Sequence, residues 1–192
     1  INPAIIRGLL AQSFLHDKPG AKIGYDVRPG KITPDLISAA GGVPVITRVG
    51  HSLIKEQMIK EDIYFAGESS GHFYFNSPIG CFEFPSLMIL KLLLIFSASD
   101  LPISEQVKQY KKYFLSGEIN RDVKDKEIVF KTIEEKYKNG KINKLDGVSV
   151  EFPDFWFNVR GSNTEPKIRL NLEAISQEIM EKKRAEVLEL IK

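Results

Sequence analysis

Ala21-Lys22-Ile23-Gly24-Tyr25-Asp26-Val27, Val43-Pro44-Val45-Ile46-Thr47 and Asp62-Ile63-Tyr64-Phe65-Ala66 are three short apolar runs at near-equal intervals. Each is rich in the β-branched and aromatic residues that suit a pleated, half-buried surface, so each reads as a strand. The segments between them, Pro34 to Ala40 and Ser52 to Lys60, carry helical spacing, and the first stops at Gly41-Gly42. Upstream, Ala4 to Leu15 is apolar at helical spacing behind Asn2-Pro3, a cap followed by a first-turn proline, and it ends near Lys18-Pro19-Gly20. Strands and helices alternating in this way predict a three-layer α/β domain with a mostly parallel sheet over residues 1–100.

In such a sheet, binding sites lie at the C-terminal ends of the strands. The three loops at those ends are Arg28-Pro29-Gly30, Arg48-Val49-Gly50-His51 and Gly67-Glu68-Ser69-Ser70-Gly71-His72, and all emerge on one edge. Glu68 supplies a carboxylate and Ser70 a small donor and acceptor, while the flanking glycines admit a ligand to the backbone. A sugar has the matching chemistry. His51 reads either as a ligand-facing residue or as a structural residue at a helix start, and His72 as a ligand-facing residue or a half-buried strand residue beside Phe73. His16, beside Asp17, reads as surface.

From Phe84 to Ala98 the chain is almost wholly apolar. The run falls short of the roughly twenty residues a bilayer span needs, and Lys91 interrupts it, so a buried helix is expected. Ser97 to Pro102 breaks the chain, and a charged helical linker is expected over 101–112, before a second domain at 113–192. There, Tyr113 to Val123 is strand-like around Gly117, Lys126 to Lys138 is an amphipathic helix, and Val148 to Phe152 is a strand entered through Asp146-Gly147. Ser176 caps a last helix with Glu178 in its first turn. Strands clustered between two helices predict a smaller α+β domain with a mainly antiparallel sheet.

The second domain carries a polar loop. Arg160-Gly161-Ser162-Asn163-Thr164-Glu165-Pro166-Lys167-Ile168-Arg169 joins two alternating runs, Phe155 to Val159 and Ile168 to Leu172. Its guanidinium fork, two hydroxyls, an amide and a close-approach glycine suit a phosphate, although a polar hairpin turn has the same composition.

Composition sets wide bounds. The 192 residues are 43% hydrophobic and carry a formal charge of +2. Residues 1–100 hold nine Lys/Arg and nine Asp/Glu, leaving 18 and 16 for the remainder, with the signs interspersed. No basic patch calls for nucleic acid, and no segment calls for a membrane. A single cysteine, Cys81, excludes an internal disulfide and a cysteine-built zinc site, so a cytoplasmic setting is expected. Ile1-Asn2-Pro3 lacks an initiator Met and a signal-peptide pattern, which suggests a piece of a longer chain.

Two motifs together point to a family. Gly67-Glu68-Ser69-Ser70-Gly71-His72 resembles the sugar-binding loop of the α-D-phosphohexomutase superfamily, and Arg160 to Pro166 with Arg169 resembles its phosphate-binding loop. Gly50-His51-Ser52 and Asp26-Val27-Arg28 are similar to segments that line its cleft. The resemblance covers the whole chain as the third and fourth domains of a four-domain enzyme, and Asn163 points to its phosphomannomutase/phosphoglucomutase branch. It implies interconversion of hexose 1-phosphate and hexose 6-phosphate through a hexose 1,6-bisphosphate. It further implies sugar contacts from Glu68, Ser70, His72, His51 and Arg28, and phosphate contacts from Arg160, Ser162, Asn163, Thr164 and Arg169. The family's phosphoserine loop and its Mg2+ loop have no counterpart in these residues, so they are expected in N-terminal domains upstream and this chain is expected to be inactive alone. The segment Asn76 to Phe84 departs from the family pattern. A non-catalytic sugar-phosphate or anion-binding module is the alternative.

Overall fold

A computed structural model describes residues 1–28, 30–162 and 166–191. The chain forms two compact units, the first built from Ile1–Asp26 and Gly30–Lys112 and the second from Val27 and Arg28 together with Tyr113 onward.

In the first unit, α1 (Pro3–Asp17) starts where the Asn2 side chain accepts the Ala4 N–H at 2.9 Å, with Pro3 needing no partner. It is followed by β1 (Lys22–Asp26), α2 (Ile32–Ala39), β2 (Val43–Thr47), α3 (His51–Glu61) and β3 (Ile63–Gly67). Asp62, expected to open the third strand, instead ends α3 in the left-handed conformation at φ 52°. Asp tolerates that conformation better than most residues do. β1 pairs in parallel with β2 on one side and with β3 on the other. An antiparallel hairpin, β4 (Phe73–Ser77) and β5 (Gly80–Glu83), extends the sheet to the order β2-β1-β3-β4-β5.

Two apolar layers flank this sheet, giving the three-layer α/β architecture. Leu10, Phe14 and Leu15 of α1, with Ile37 of α2, pack on Ile23 and Phe65. Ile54 and Met58 of α3 pack on Ile63, Ala66, Tyr74 and Cys81. The hairpin is the part that strand–helix alternation did not foretell, because Phe73 to Glu83 has no helix to mark its boundaries.

The apolar run expected to be a buried helix is α4 (Pro85–Ser97), and within this unit it is buried along one stripe only. Met88 and Leu92 pack toward α1, and Lys91 donates to Asp17 at 2.7 Å and Ser13 at 3.1 Å while lying over the Phe14 ring. Ile89, Leu90, Leu93 and Leu94 are 58–71% exposed. A helix apolar on every side has no period from which to read its buried face, so this outcome depends on which neighbours exist. Among the described residues no helix is long and apolar enough to cross a membrane. Residues 101–112 hold one helical turn, α5 (Ile103–Gln106), and a 3-10 turn at Lys108–Tyr110.

The second unit comprises β6 (Phe114–Asp122), α6 (Lys126–Lys136), β7 (Lys141–Asn143), β8 (Val148–Glu151), β9 (Phe155–Gly161), β10 (Lys167–Ala174) and α7 (Gln177–Leu190). Its sheet, ordered β6-β10-β9-β8-β7, is antiparallel throughout. Asp125 caps α6 and Ser176 caps α7. Alternate residues Phe155, Phe157 and Val159 of β9 meet Val129 and Ile133 of α6 and Met180 and Val187 of α7. This is the α+β layer pair expected of the second half.

Two predictions follow from this packing. Gly147 turns at φ +67°, and a Cβ there would run into the backbone of Val159 and Arg160. Gly147→Ala is expected to lower unfolding free energy by about 1–3 kcal/mol in a denaturant titration. Tyr137 is buried and its hydroxyl has no hydrogen-bond partner; burial, and secondarily Glu186, pushes its pKa up to about 12. The folded value lies above the unfolded one, so this stabilisation is complete below about pH 10 and is lost as pH rises toward 12. Tyr137→Phe is therefore expected to leave stability at pH 7 unchanged or raised, and to flatten the alkaline loss seen in melts between about pH 9 and 11.

Candidate functional site

Parallel pairing of β1 with β3, with Tyr25 beside Gly67, places the ends of both strands at one sheet edge. Asp26 is fully buried there. Its Oδ2 accepts the Ser69 N–H at 2.7 Å and its Oδ1 accepts the Ser69 hydroxyl at 2.9 Å. Arg7, also fully buried, enters from α1. Its Nη1 donates to Ser69 Oγ at 3.0 Å and to Asp26 Oδ1 at 3.4 Å, with the Gly67 carbonyl at 3.5 Å. Its Nε donates to Thr33 Oγ1 at 3.0 Å, and the Thr33 hydroxyl passes on to the Ala4 carbonyl at 2.8 Å. One guanidinium thus ties α1, β1, α2 and the loop after β3 together.

That loop is closed by Glu68 N–H to His72 O at 2.8 Å and Gly71 N–H to Glu68 O at 3.1 Å. Glu68 is buried, and Tyr74 donates to its Oε1 at 3.0 Å while Ser70 donates to its Oε2 at 2.7 Å. Burial, followed by the Glu68 charge, drives the Tyr74 phenol well above its usual pKa, so it remains a donor at every physiological pH. The exposed Ser70 hydroxyl lies beside the Glu68 carboxylate.

Among the other expected sugar contacts, His72 is exposed and lies 3.3 Å from Glu83, so it is not the half-buried residue of the structural reading. His51 is the exposed first residue of α3, after β2, and Arg28 follows the end of β1. The structure therefore brings Glu68 and Ser70 into contact and leaves His51, His72 and Arg28 as separate contributions from loops at the ends of β1, β2 and β3.

In the second unit, Arg160 on β9 and Arg169 on β10 are direct cross-strand partners and so share one face of the sheet. Glu118 of β6 meets both, Oε2 to Arg160 Nη2 at 3.5 Å and Oε1 to Arg169 Nη1 at 3.6 Å. Arg160 is buried, and burial depresses its pKa, with the charges of Arg28 and then Arg169 acting in the same direction. The Nε atoms of both arginines are buried without a hydrogen-bond partner. Ser162, also buried, closes the neck of the loop by donating its N–H to Lys167 O at 2.8 Å, and Lys126 donates to the Ser162 carbonyl at 2.9 Å. The expected contacts Asn163 and Thr164 lie outside the described residues. Among the described residues no group of three or more His, Cys, Asp or Glu is placed to hold a metal ion.

Arg7, Thr33, Ser69 and Tyr74 were not singled out by sequence. One signal was available for the first: a lone arginine inside the apolar stretch Ala4 to Leu15 needs a buried partner. Arg7→Met removes one buried ion-pair partner of the Asp26 carboxylate and is expected to cost about 3–5 kcal/mol in denaturant unfolding. The double variant Arg7→Met/Asp26→Asn is expected to recover a substantial part of that loss, which a purely steric role for Arg7 would not allow.

Known proteins share this architecture. Residues 2–113 match the phosphoglucomutase/phosphomannomutase alpha/beta/alpha domain III, and residues 118–190 match the C-terminal domain of the same family. A phosphomannomutase of Methanocaldococcus jannaschii is 44% identical over 187 residues, which are 97% of this chain and 41% of that protein. A phosphomannomutase of Escherichia coli strain K12 is 39% identical over 174 residues, 88% of this chain and 38% of that protein. A solved phosphoglucomutase/phosphomannomutase family protein from Burkholderia thailandensis superposes with a TM-score of 0.84 at 27% identity, covering all of this chain and 42% of that one. The chain thus spans about two fifths of these relatives' length. With both units matched in order along nearly the whole sequence, the chain belongs to the phosphoglucomutase/phosphomannomutase family.

Proposed function

We propose that this chain supplies the sugar-binding loop and the phosphate-binding loop of a phosphohexomutase that interconverts hexose 1-phosphate and hexose 6-phosphate through a hexose 1,6-bisphosphate. The observation that carries the reading is the facing pair Arg160 and Arg169, each with a buried and unsatisfied Nε, at the neck of the Ser162 loop. Unused buried donors on two cations call for an anion with several acceptor oxygens, and a phosphate group supplies them. In the first unit, the Glu68 carboxylate with the Ser70 hydroxyl beside it supplies the acceptor and donor that sugar hydroxyls need.

The roles are positional. Glu68 and Ser70 hold ligand hydroxyls, with His72, His51 and Arg28 contributing from neighbouring loops. Arg160, Ser162, Asn163, Thr164 and Arg169 hold the phosphate that is not reacting. Phosphoryl transfer is catalysed largely by placement and by stabilising charge, so orienting the sugar phosphate is a substantial contribution. The phosphoryl-carrying serine and the magnesium ion, which would stabilise the transferring phosphate when bound, then belong to the parts of the longer relatives that this chain does not span. The chain alone binds without turnover.

The test is a titration of this chain with glucose 1,6-bisphosphate followed through amide chemical shifts, with inorganic phosphate and sulfate as controls. Shifts at residues 67–72 and at Ser162 support the proposal. Shifts at Ser162 alone, reproduced by plain phosphate, support the anion-binding module, and no shifts at either loop overturn both. Arg160→Ala is expected to weaken binding by about 1.5–3 kcal/mol, and Glu68→Gln to weaken the bisphosphate while leaving inorganic phosphate unchanged.

A further inference from the structure

The carboxylate of Glu118 occupies an unusual position. It is the only acidic side chain in ion-pair contact with Arg160 or Arg169 among the described residues, and one carboxylate serves both cations. Arg28 and Asp146 also act on Arg160, so three guanidiniums and two carboxylates leave this cluster with one excess positive charge. Both contacts are long for charge-assisted hydrogen bonds, which are usually about 2.7–2.9 Å. Asn171, opposite Glu118 on β10, donates to the same oxygen that faces Arg160 at 3.4 Å, again a loose contact. Meanwhile the Nε donors of both arginines remain unused. A carboxylate built to neutralise this pair permanently would be expected to approach more closely and to take up those donors.

We propose that Glu118 is an internal competitor for the phosphate subsite: its carboxylate stands in for the ligand's oxygens in the free protein and is displaced from the guanidiniums when a phosphate group binds. The inference rests on the phosphate-binding role proposed above for Arg160 and Arg169. Its physical basis is charge. Arg160 has 6% of its side chain exposed and Glu118 32%, so the arginine is held in place while the carboxylate can turn toward water on the edge strand β6. Bringing a dianionic phosphate to the cluster breaks two weak ion pairs and sets the incoming charge against the remaining carboxylate. Glu118 thereby lowers affinity for phosphate, which keeps a site with one buried and one half-buried cation from holding any passing oxyanion too tightly to release.

Substitution reads this directly, because losing a competitor and losing a ligand-positioning group move affinity in opposite directions. Calorimetric titration of the full chain with inorganic phosphate at fixed ionic strength is compared for wild type, Glu118→Gln and Arg160→Ala, each checked by thermal unfolding. Glu118→Gln keeps the shape and the amide hydrogen bonding while removing the charge, and phosphate is expected to bind it about five- to tenfold more tightly. In wild type, the side-chain carboxyl carbon resonance of Glu118 is expected to shift along the same titration, and the Nε–H resonances of Arg160 and Arg169 to move with it. Equal or weaker binding by Glu118→Gln, with Arg160→Ala weakened as expected, overturns the competitor role and makes Glu118 a residue that orients the arginines. If Arg160→Ala binds phosphate like wild type, the phosphate subsite itself is refuted, and the competitor role falls with it.

Discussion

The buried carboxylate of Asp26 is the constraint around which the first unit is arranged. It lies at the end of β1, between its two parallel neighbours, and carries a charge buried away from solvent. Among the groups that answer that charge are the Ser69 N–H, the Ser69 hydroxyl and the Arg7 guanidinium. Burying such a pair costs desolvation that its hydrogen bonds must offset, so the elements contributing these partners must stay in register. The 3.6-residue period that puts Phe14 in the core also aims Arg7 at the strand ends, and Thr33 holds that aim through Nε. Loop placement thus follows from core packing.

The consequence for binding is that Glu68 and Ser70 sit on a loop whose next residue is locked on either side. Ser69 is pinned from below by Asp26, and Tyr74 holds the Glu68 carboxylate from the adjoining hairpin. A flexible glycine-flanked loop would lose entropy on gripping any ligand, and preorganisation of this kind reduces that loss. The second unit reaches the same end by another route. Antiparallel register alone sets Arg160 opposite Arg169, and the hairpin neck at Ser162 and Lys167 fixes where their donors converge. Helices do not enter the geometry; they cover the opposite face through Phe155, Phe157 and Val159.

Much of this was legible in the order of residues, because the signals were periodic or local. The alternation from Ala21 to Ala66 gave the parallel core, the caps at Asn2 and Ser176 gave helix starts, and the two loops gave candidate ligands by the chemistry of their side chains. The departures occur where periodicity is silent. The run from Phe84 to Ala98 is apolar on all sides, so nothing in it distinguishes the stripe that meets α1 from the face carrying Leu93 and Leu94. Phe73 to Glu83 lacks a helix to delimit it, and its hairpin was passed over.

The division between chain and fold is therefore a division by distance. Secondary structure, the two-layer and three-layer arrangements, the Glu68–Ser70 loop and the arginine-led loop depend on neighbours within a few residues, and those neighbours are written in the chain. The clasp of Arg7 on Asp26 and Ser69 joins residues 19 and 62 positions apart, and the sharing of Glu118 between Arg160 and Arg169 joins three separate strands. Long-range partners of buried charges are chosen by packing, since whichever polar group reaches the same dry space must satisfy the charge already there. Only the folded molecule fixes which group that is.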